Sequence, residues 1–259
     1  MQGLKDKVVV VAGSATGIGL ASARRLAAEG AKVVLGDIAA QQAQEAARQI
    51  CQAGGVAIAI EYDQAEEAST ANLIKQAVSH FGRLDGLHAN AADLRPAVFG
   101  RDVDVLNMDV SIWERTLRVN LIGYADLIRC ALPHLLERGG GSIVCTTTST
   151  NSPPIGRANA PVAYSASKAA VNAMCRHVAS RWGQQGIRCN AVAPGVVLTE
   201  AAKAVMTPEF IEELRADLRS TRLGEPGDIA STVAFLLSDE GAWVNGQIWG
   251  VNGGAYLTP

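Results

Sequence analysis

The chain has 259 residues, enough for one large α/β domain and short for two. Hydrophobic residues make up 48% of it and charged residues 19%, a balance that can bury a core and excludes disorder. The formal charge is −2 with no basic block, which excludes nucleic acid and anionic membrane surfaces as partners.

Apolar runs rich in Val and Ile alternate with segments of helical period, the pattern of a parallel sheet covered on both faces. Residues 7 to 12 are the first strand. The chain enters it without an apolar leader, and no apolar run reaches the ~18 residues of a membrane helix, so a cytoplasmic protein is expected. A helix over 18 to 29 ends at Gly30, followed by a strand over 31 to 36, a helix over 40 to 52 and a strand over 56 to 60. A helix over 66 to 81 precedes a strand at 86 to 89. After a loop over 91 to 109, a long helix begins near residue 112, with Trp113, Leu117, Leu121, Tyr124, Leu127 and Ile128 as its core stripe. Then come a strand over 142 to 146, a polar loop over 149 to 161, a helix over 162 to 182 and a strand over 187 to 193. A loop with a short helix near 208 to 219, a helix from Pro226 and a last strand over 246 to 251 complete one doubly wound α/β unit spanning 1 to 259. Cys51, Cys130, Cys145, Cys175 and Cys189 lack CxxC spacing and read as small buried hydrophobes of a reducing compartment. The histidines are dispersed, and no structural metal is expected.

Directly after the first strand come Gly13, Ser14, Thr16, Gly17, Ile18 and Gly19, leading into a helix. Such glycines allow a tight turn and close backbone approach to a pyrophosphate, whose charge faces the free amides of the helix start. Asp37 closes the second strand, where a carboxylate can accept hydrogen bonds from an adenosine ribose, with Ile38 beside it. A 2′-phosphate there would be repelled with no nearby Arg or Lys to offset it, so NAD is expected over NADP. The bland alternative is an ordinary turn and a surface aspartate.

Tyr164 and Lys168 lie four residues apart on one helical face. A phenol titrates near pH ~10, and lowering that by ~3 units takes about 4 kcal/mol, the attraction of unit charges ~4 Å apart at an effective dielectric of ~20. Taken alone, the spacing more often marks a packed aromatic beside a solvated charge.

The ordered set of Gly13, Gly17 and Gly19, then His88-Ala89-Asn90-Ala91-Ala92, Asn120, Tyr164/Lys168 and the run Pro194 to Thr199 resembles the short-chain dehydrogenase/reductase family over nearly the whole chain. The resemblance implies a single Rossmann domain of about seven parallel strands and an NAD-dependent oxidoreductase interconverting a secondary alcohol and a ketone. It gives Tyr164 the role of general acid/base and makes Lys168 the group that lowers its pKa and holds the nicotinamide ribose. Asn120 would hold a water in a proton relay; its alternative is a buried amide bonded to backbone. Asp63 with Gln64, and Asn90 with Ala91 and Ala92, would border the adenosine. Pro194, Gly195, Val197 and Thr199 would hold the carboxamide. Ala12 and Ala92 depart from the family pattern, which often has Thr and Gly there.

The family's catalytic serine is also absent from its register position, where Thr148 stands; Ser149 is the rival if a bulge turns it inward. The resemblance further implies a homotetramer pairing through its two long helices, for which the alanine face of residues 166, 169, 170 and 173 leaves room. Residues 92 to 98, 150 to 160 and 196 to 222 would line the substrate pocket, the last as a cover, and an apolar or cyclic secondary alcohol is expected. A non-catalytic dinucleotide sensor is the competing class. Enoyl reductases of related type are disfavoured because they place six residues between Tyr and Lys.

Overall fold

The computed structural model describes residues 1–149, 160–216 and 218–257. Seven parallel strands form one sheet in the order β3-β2-β1-β4-β5-β6-β7. They are β1 (Val8–Ala12), β2 (Lys32–Asp37), β3 (Val56–Glu61), β4 (Gly86–Ala89), β5 (Gly141–Thr146), β6 (Ile187–Pro194) and β7 (Ile248–Val251). β1 is buried throughout because helices cover both faces and successive side chains alternate between them. Val8, Val10 and Ala12 pack into one core with α3 (Glu67–Phe81), α5 (Gly123–Glu137) and α6 (Val162–Trp182). Val9 and Val11 face the other core with α1 (Gly17–Ala28), α2 (Ala40–Gln52) and α9 (Pro226–Leu237).

The chain winds outward from β1 to β3 and then returns to place β4 on the other side of β1. Beyond the carboxyl ends of β1 and β4 this reversal opens a crevice, the place where doubly wound sheets bind ligands.

The long helix expected from residue 112 is three pieces. α4 (Val110–Leu117) passes through a π-helical turn, Arg118–Ile122, into α5. Residues 91 to 109 contain a 3₁₀ turn, Phe99–Arg101. The segment after β6 folds into α7 (Glu200–Lys203) and α8 (Pro208–Ala216). The expected polar loop at 149 to 161 lies mostly outside the described residues. Among the described residues no helix is long and apolar enough to cross a membrane.

Candidate active site

The glycine loop is shaped by three separate constraints. Gly13 has φ +77°, and a Cβ on it would fall 2.6 Å from Ala91 Cα, so the ends of β1 and β4 meet backbone to backbone. A Cβ on Gly19 would sit 1.8 Å from the Gly13 carbonyl oxygen. Gly17, at φ +57°, faces the Thr199 methyl group, 3.2 Å from where its own Cβ would be. The loop therefore faces the segment following β6 across a cradle that side chains would fill. Thr16 is exposed at the start of α1, and Ile18 is half-buried. Ser14 is a correction: its side chain is wholly buried and donates to the Gly36 carbonyl at 3.3 Å, so it braces the loop from beneath.

Asp37 accepts from the amides of Ala15 (2.8 Å) and Ala39 (2.9 Å), which fixes its carboxylate beside the loop. Each oxygen keeps acceptor capacity for a further donor. Ile38 stands exposed next to it, an apolar surface suited to a base. Asp63 accepts from the Ala65 amide at 2.8 Å. Gln64 is a second correction, because its amide donates to the carbonyls of Val119 (2.7 Å) and Ala91 (3.2 Å) and accepts from Tyr62. Buried in this way, it ties β4 to the π turn and offers its side chain to no ligand. The Asn90 side chain is likewise committed to the scaffold, donating to the Gly13 carbonyl (2.9 Å) and accepting from the Thr146 hydroxyl (2.9 Å). Since Thr146 spends its proton on Asn90, it accepts from His88 Nε2 at 3.0 Å. That assignment leaves His88 neutral, with Nδ1 unpartnered among the described residues. Burial, with Lys168 nearby, pushes His88 down to about 3.

Tyr164 lies in the first turn of α6, a helix whose N-cap, Pro161, supplies no side-chain cap. Asp102, from the loop after β4, does this work: its two oxygens accept from the amides of Ala163 (3.0 Å) and Tyr164 (2.7 Å). Phe99 packs its ring edge-on against Tyr164, centroids 5.3 Å apart. Sequence reasoning missed both residues. A carboxylate that caps a helix 61 positions later leaves no local pattern.

Lys168 lies one turn further along α6 and is 1% exposed. Its ammonium donates to the Tyr124 hydroxyl (2.9 Å) and the Thr146 carbonyl (2.8 Å), and stands 4.4 Å from the centre of the Tyr124 ring. It lies 5.8 Å from the centre of the Tyr164 ring. In this arrangement the ammonium is bonded to Tyr124 and not to the Tyr164 phenol. Burial pushes the Tyr164 phenol up to about 12 and the Lys168 ammonium down to about 7, since each charged form is desolvated. Tyr124, read from the sequence only as part of a core stripe, is the residue that holds Lys168.

Asn120 sits inside the π turn, a distortion that recurs at functional sites because it re-aims side chains. Its Oδ1 accepts from the Asp93 amide at 3.1 Å, and its buried Nδ2 has no partner among the described residues. The open alternatives thus coexist: one end of the amide is bonded to backbone, while the other remains a donor for a guest.

At the end of β5, Ser149 is buried and its hydroxyl donates to the Pro194 carbonyl at 2.9 Å. Thr147 bonds the Val192 carbonyl in the same direction. Thr148, between them, is buried as well, and β5 itself ends at Thr146. The segment from Pro194 is pinned by Gly195 N to the Val251 carbonyl (3.2 Å) and by a bridge between Val197 and Gly224. The Thr199 hydroxyl caps α7, accepting from the Ala202 amide at 3.1 Å, and keeps its proton to donate.

The cradle between Gly17 and Thr199, the carboxylate of Asp37 and the unpaired Asn120 donor suit a dinucleotide and a small oxygenated ligand. They place the protein in the class of dinucleotide-dependent oxidoreductases acting on alcohols and ketones, and comparison with known proteins agrees. A family model described as enoyl-(acyl carrier protein) reductase matches residues 12–256. The chain is 37% identical over 257 residues to cis-4-hydroxycyclohexanecarboxylate dehydrogenase of Sinomonas cyclohexanicum, covering 96% of both proteins. It is 34% identical over 254 residues to 7α-hydroxysteroid dehydrogenase of Escherichia coli strain K12, covering 97% of this chain and 94% of the relative. A solved 7α-hydroxysteroid dehydrogenase complexed with NADH and 7-oxo glycochenodeoxycholic acid superposes with a TM-score of 0.89 at 32% identity, over 97% of this chain and 95% of that one.

The chain belongs to the short-chain dehydrogenase/reductase family. Its relatives are dehydrogenases, which removes the competing reading of a non-catalytic sensor.

Proposed function

We propose that the protein is an NAD(H)-dependent dehydrogenase of a secondary alcohol carried on an alicyclic ring. The observation that carries this is the pairing of a half-buried Tyr164 with the buried Lys168 one turn along α6, its ammonium bonded to the Thr146 carbonyl at the end of β5. NAD(H) bound in the cradle supplies the hydride acceptor or donor. The Gly13 to Gly19 loop would take its pyrophosphate, Asp37 the adenosine ribose, Asp63 and the backbone of Ala91 and Ala92 the adenosine edge, and the Val197 backbone and Thr199 hydroxyl the carboxamide.

Tyr164 exchanges a proton with the substrate oxygen, and the Thr148 hydroxyl donates a hydrogen bond to that oxygen. Lys168, turning from Tyr124 toward Tyr164, brings the phenol down from about 12 toward the working range. The Asn120 Nδ2 donor holds a water that connects Lys168 to bulk solvent. Asp37 repels a 2′-phosphate, favouring NAD over NADP.

A ring alcohol is supported by the relatives, whose names specify hydroxyls on cyclohexane and steroid rings. It is also supported by the edge-on Phe99 beside Tyr164. Two arginines of the pocket segments among the described residues are already paired, Arg95 with Asp93 and Arg222 with Asp228, which favours an uncharged ring beside them. Residues 196 to 222 would cover it. The chain would be a cytoplasmic single-domain homotetramer.

A panel of cyclic secondary alcohols followed by NADH absorbance tests the activity. Tyr164→Phe should lose at least ~10²-fold in kcat while retaining NADH binding. Turnover of no ring alcohol, or equal kcat/KM with NADP, would overturn the substrate or the cofactor assignment respectively. Thr148→Val should lose far more kcat than Ser149→Ala.

A further inference from the structure

Cys145, Cys175 and Cys189 are far apart in sequence and share no ligand motif, yet all three Sγ atoms lie within 4.8 Å of one another. β5 and β6 pair with Ile143 opposite Cys189, so Cys145, two residues on from Ile143, faces the same side of the sheet as Cys189. Cys175 comes down onto both from α6. All three are wholly buried in the core that also holds Tyr124 and Val171.

We propose that these three cysteines form a trithiol site that captures trivalent arsenic. The choice of guest follows from ligand number and charge. Zinc favours four ligands, and the described surroundings supply only three. Three thiolates around a divalent ion would also leave a net charge of −1 in an apolar core, at high desolvation cost. Arsenic(III) with three thiolates is neutral and three-coordinate. Arsenous acid is itself small and uncharged at neutral pH, so it enters the core during local opening without shedding a charge.

The reaction balances without an oxidant. As(OH)₃ and three Cys–SH give As(S–Cys)₃ and three waters; three As–O bonds are replaced by three As–S bonds, each departing hydroxide takes one thiol proton, and arsenic stays in the +3 state. Cys145 directly precedes Thr146, whose carbonyl anchors Lys168, so occupancy also disturbs the acid/base pair and inhibits turnover.

The test uses the full chain carrying Cys51→Ser and Cys130→Ser, which removes the two cysteines outside the cluster. The protein is incubated with sodium arsenite, both folded and during refolding from urea, and examined by native mass spectrometry and by alkylation after rapid denaturation. The expected result is one arsenic per chain, a mass gain of one arsenic less three hydrogens, and protection of all three thiols that a competing dithiol reverses. Cys175→Val or Cys189→Ala, whichever folds, should lose retention by at least tenfold. No retained arsenic in either arm, or equal retention in the folded variant, would overturn the site. Full turnover at full occupancy would overturn the inhibition. The mass and alkylation readouts need no substrate, so they stand apart from the activity assignment.

Discussion

The Lys168 ammonium has two acceptors, and one of them is particular to this chain's side chains. The Thr146 carbonyl is backbone, whereas the Tyr124 hydroxyl can be removed. A hydrogen bond to a charged group contributes about 1.5–3 kcal/mol, and a pKa unit corresponds to about 1.4 kcal/mol. Loss of an acceptor that favours the ammonium should therefore move Lys168 further down from about 7, by roughly one unit. In Tyr124→Phe the alkaline limb of the kcat/KM profile, which reports the free enzyme, is expected at lower pH. A purely structural role for Tyr124 would lower the whole profile and leave its limbs in place. Tyr124 could not be assigned from sequence because its place in a helical apolar stripe hides a hydroxyl that is used. Asp37, by contrast, was legible, since the end of the second strand after a glycine loop defines its position.

The strands and most helices were legible because parallel strands buried on both faces read as unbroken Val/Ile runs, and glycines mark the helix stops at Gly30 and Gly82. The π turn was not legible. The apolar spacing of residues 112 to 128 fits one continuous helix, and the inserted residue around Asn120 shows only in the backbone. The start of α6 hid a second contact. Its first-turn amides, Tyr164 included, depend on Asp102 from another loop. Removing a cap typically costs ~1–2 kcal/mol, with the buried setting pointing to the upper part of that range. Asp102→Ala should lower stability by about 2 kcal/mol in urea denaturation and should also lower kcat, because Tyr164 loses its anchor. Asp102→Asn, which keeps an acceptor, should fall between the two. An Asp102→Ala protein with unchanged kcat would separate the cap from the positioning of Tyr164.

At the scale of the whole molecule, stability should depend on pH through His88. Its folded pKa of about 3 lies below the ordinary value of 6.5, so between these limits the unfolded chain binds the extra proton. The contribution is fully present above pH 6.5 and is lost as pH falls toward 3, at up to about 1.4 kcal/mol per unit. From pH 7 to pH 5 this amounts to about 2 kcal/mol. His88→Leu should flatten the pH dependence by that amount in denaturant titrations, whatever it does to absolute stability. An identical slope in the variant would show that other groups govern acid sensitivity.

Assembly is the remaining property at this scale. Ala166, Ala169 and Ala173 are exposed along one face of α6. A groove of about 410 Å³ between α5 and the later part of α6 is lined by Ile128, Leu132, Leu136, Met174 and Trp182. Small residues let two such helices approach closely, and the apolar groove beside them gains by being covered. A symmetric pairing of α5 and α6 with their copies would bury both features and accounts for an alanine stripe on a helix whose other face is core. Ala169→Arg sets a bulky charge against its own copy across such an axis, where burial without a partner costs several kcal/mol. Light scattering at micromolar concentration should then give a smaller assembly than the parent protein. The crevice lies on the sheet's carboxyl edge, away from this groove, so NADH binding should survive in the variant. An unchanged mass would place the interface on another face and leave the alanine stripe without an assembly role.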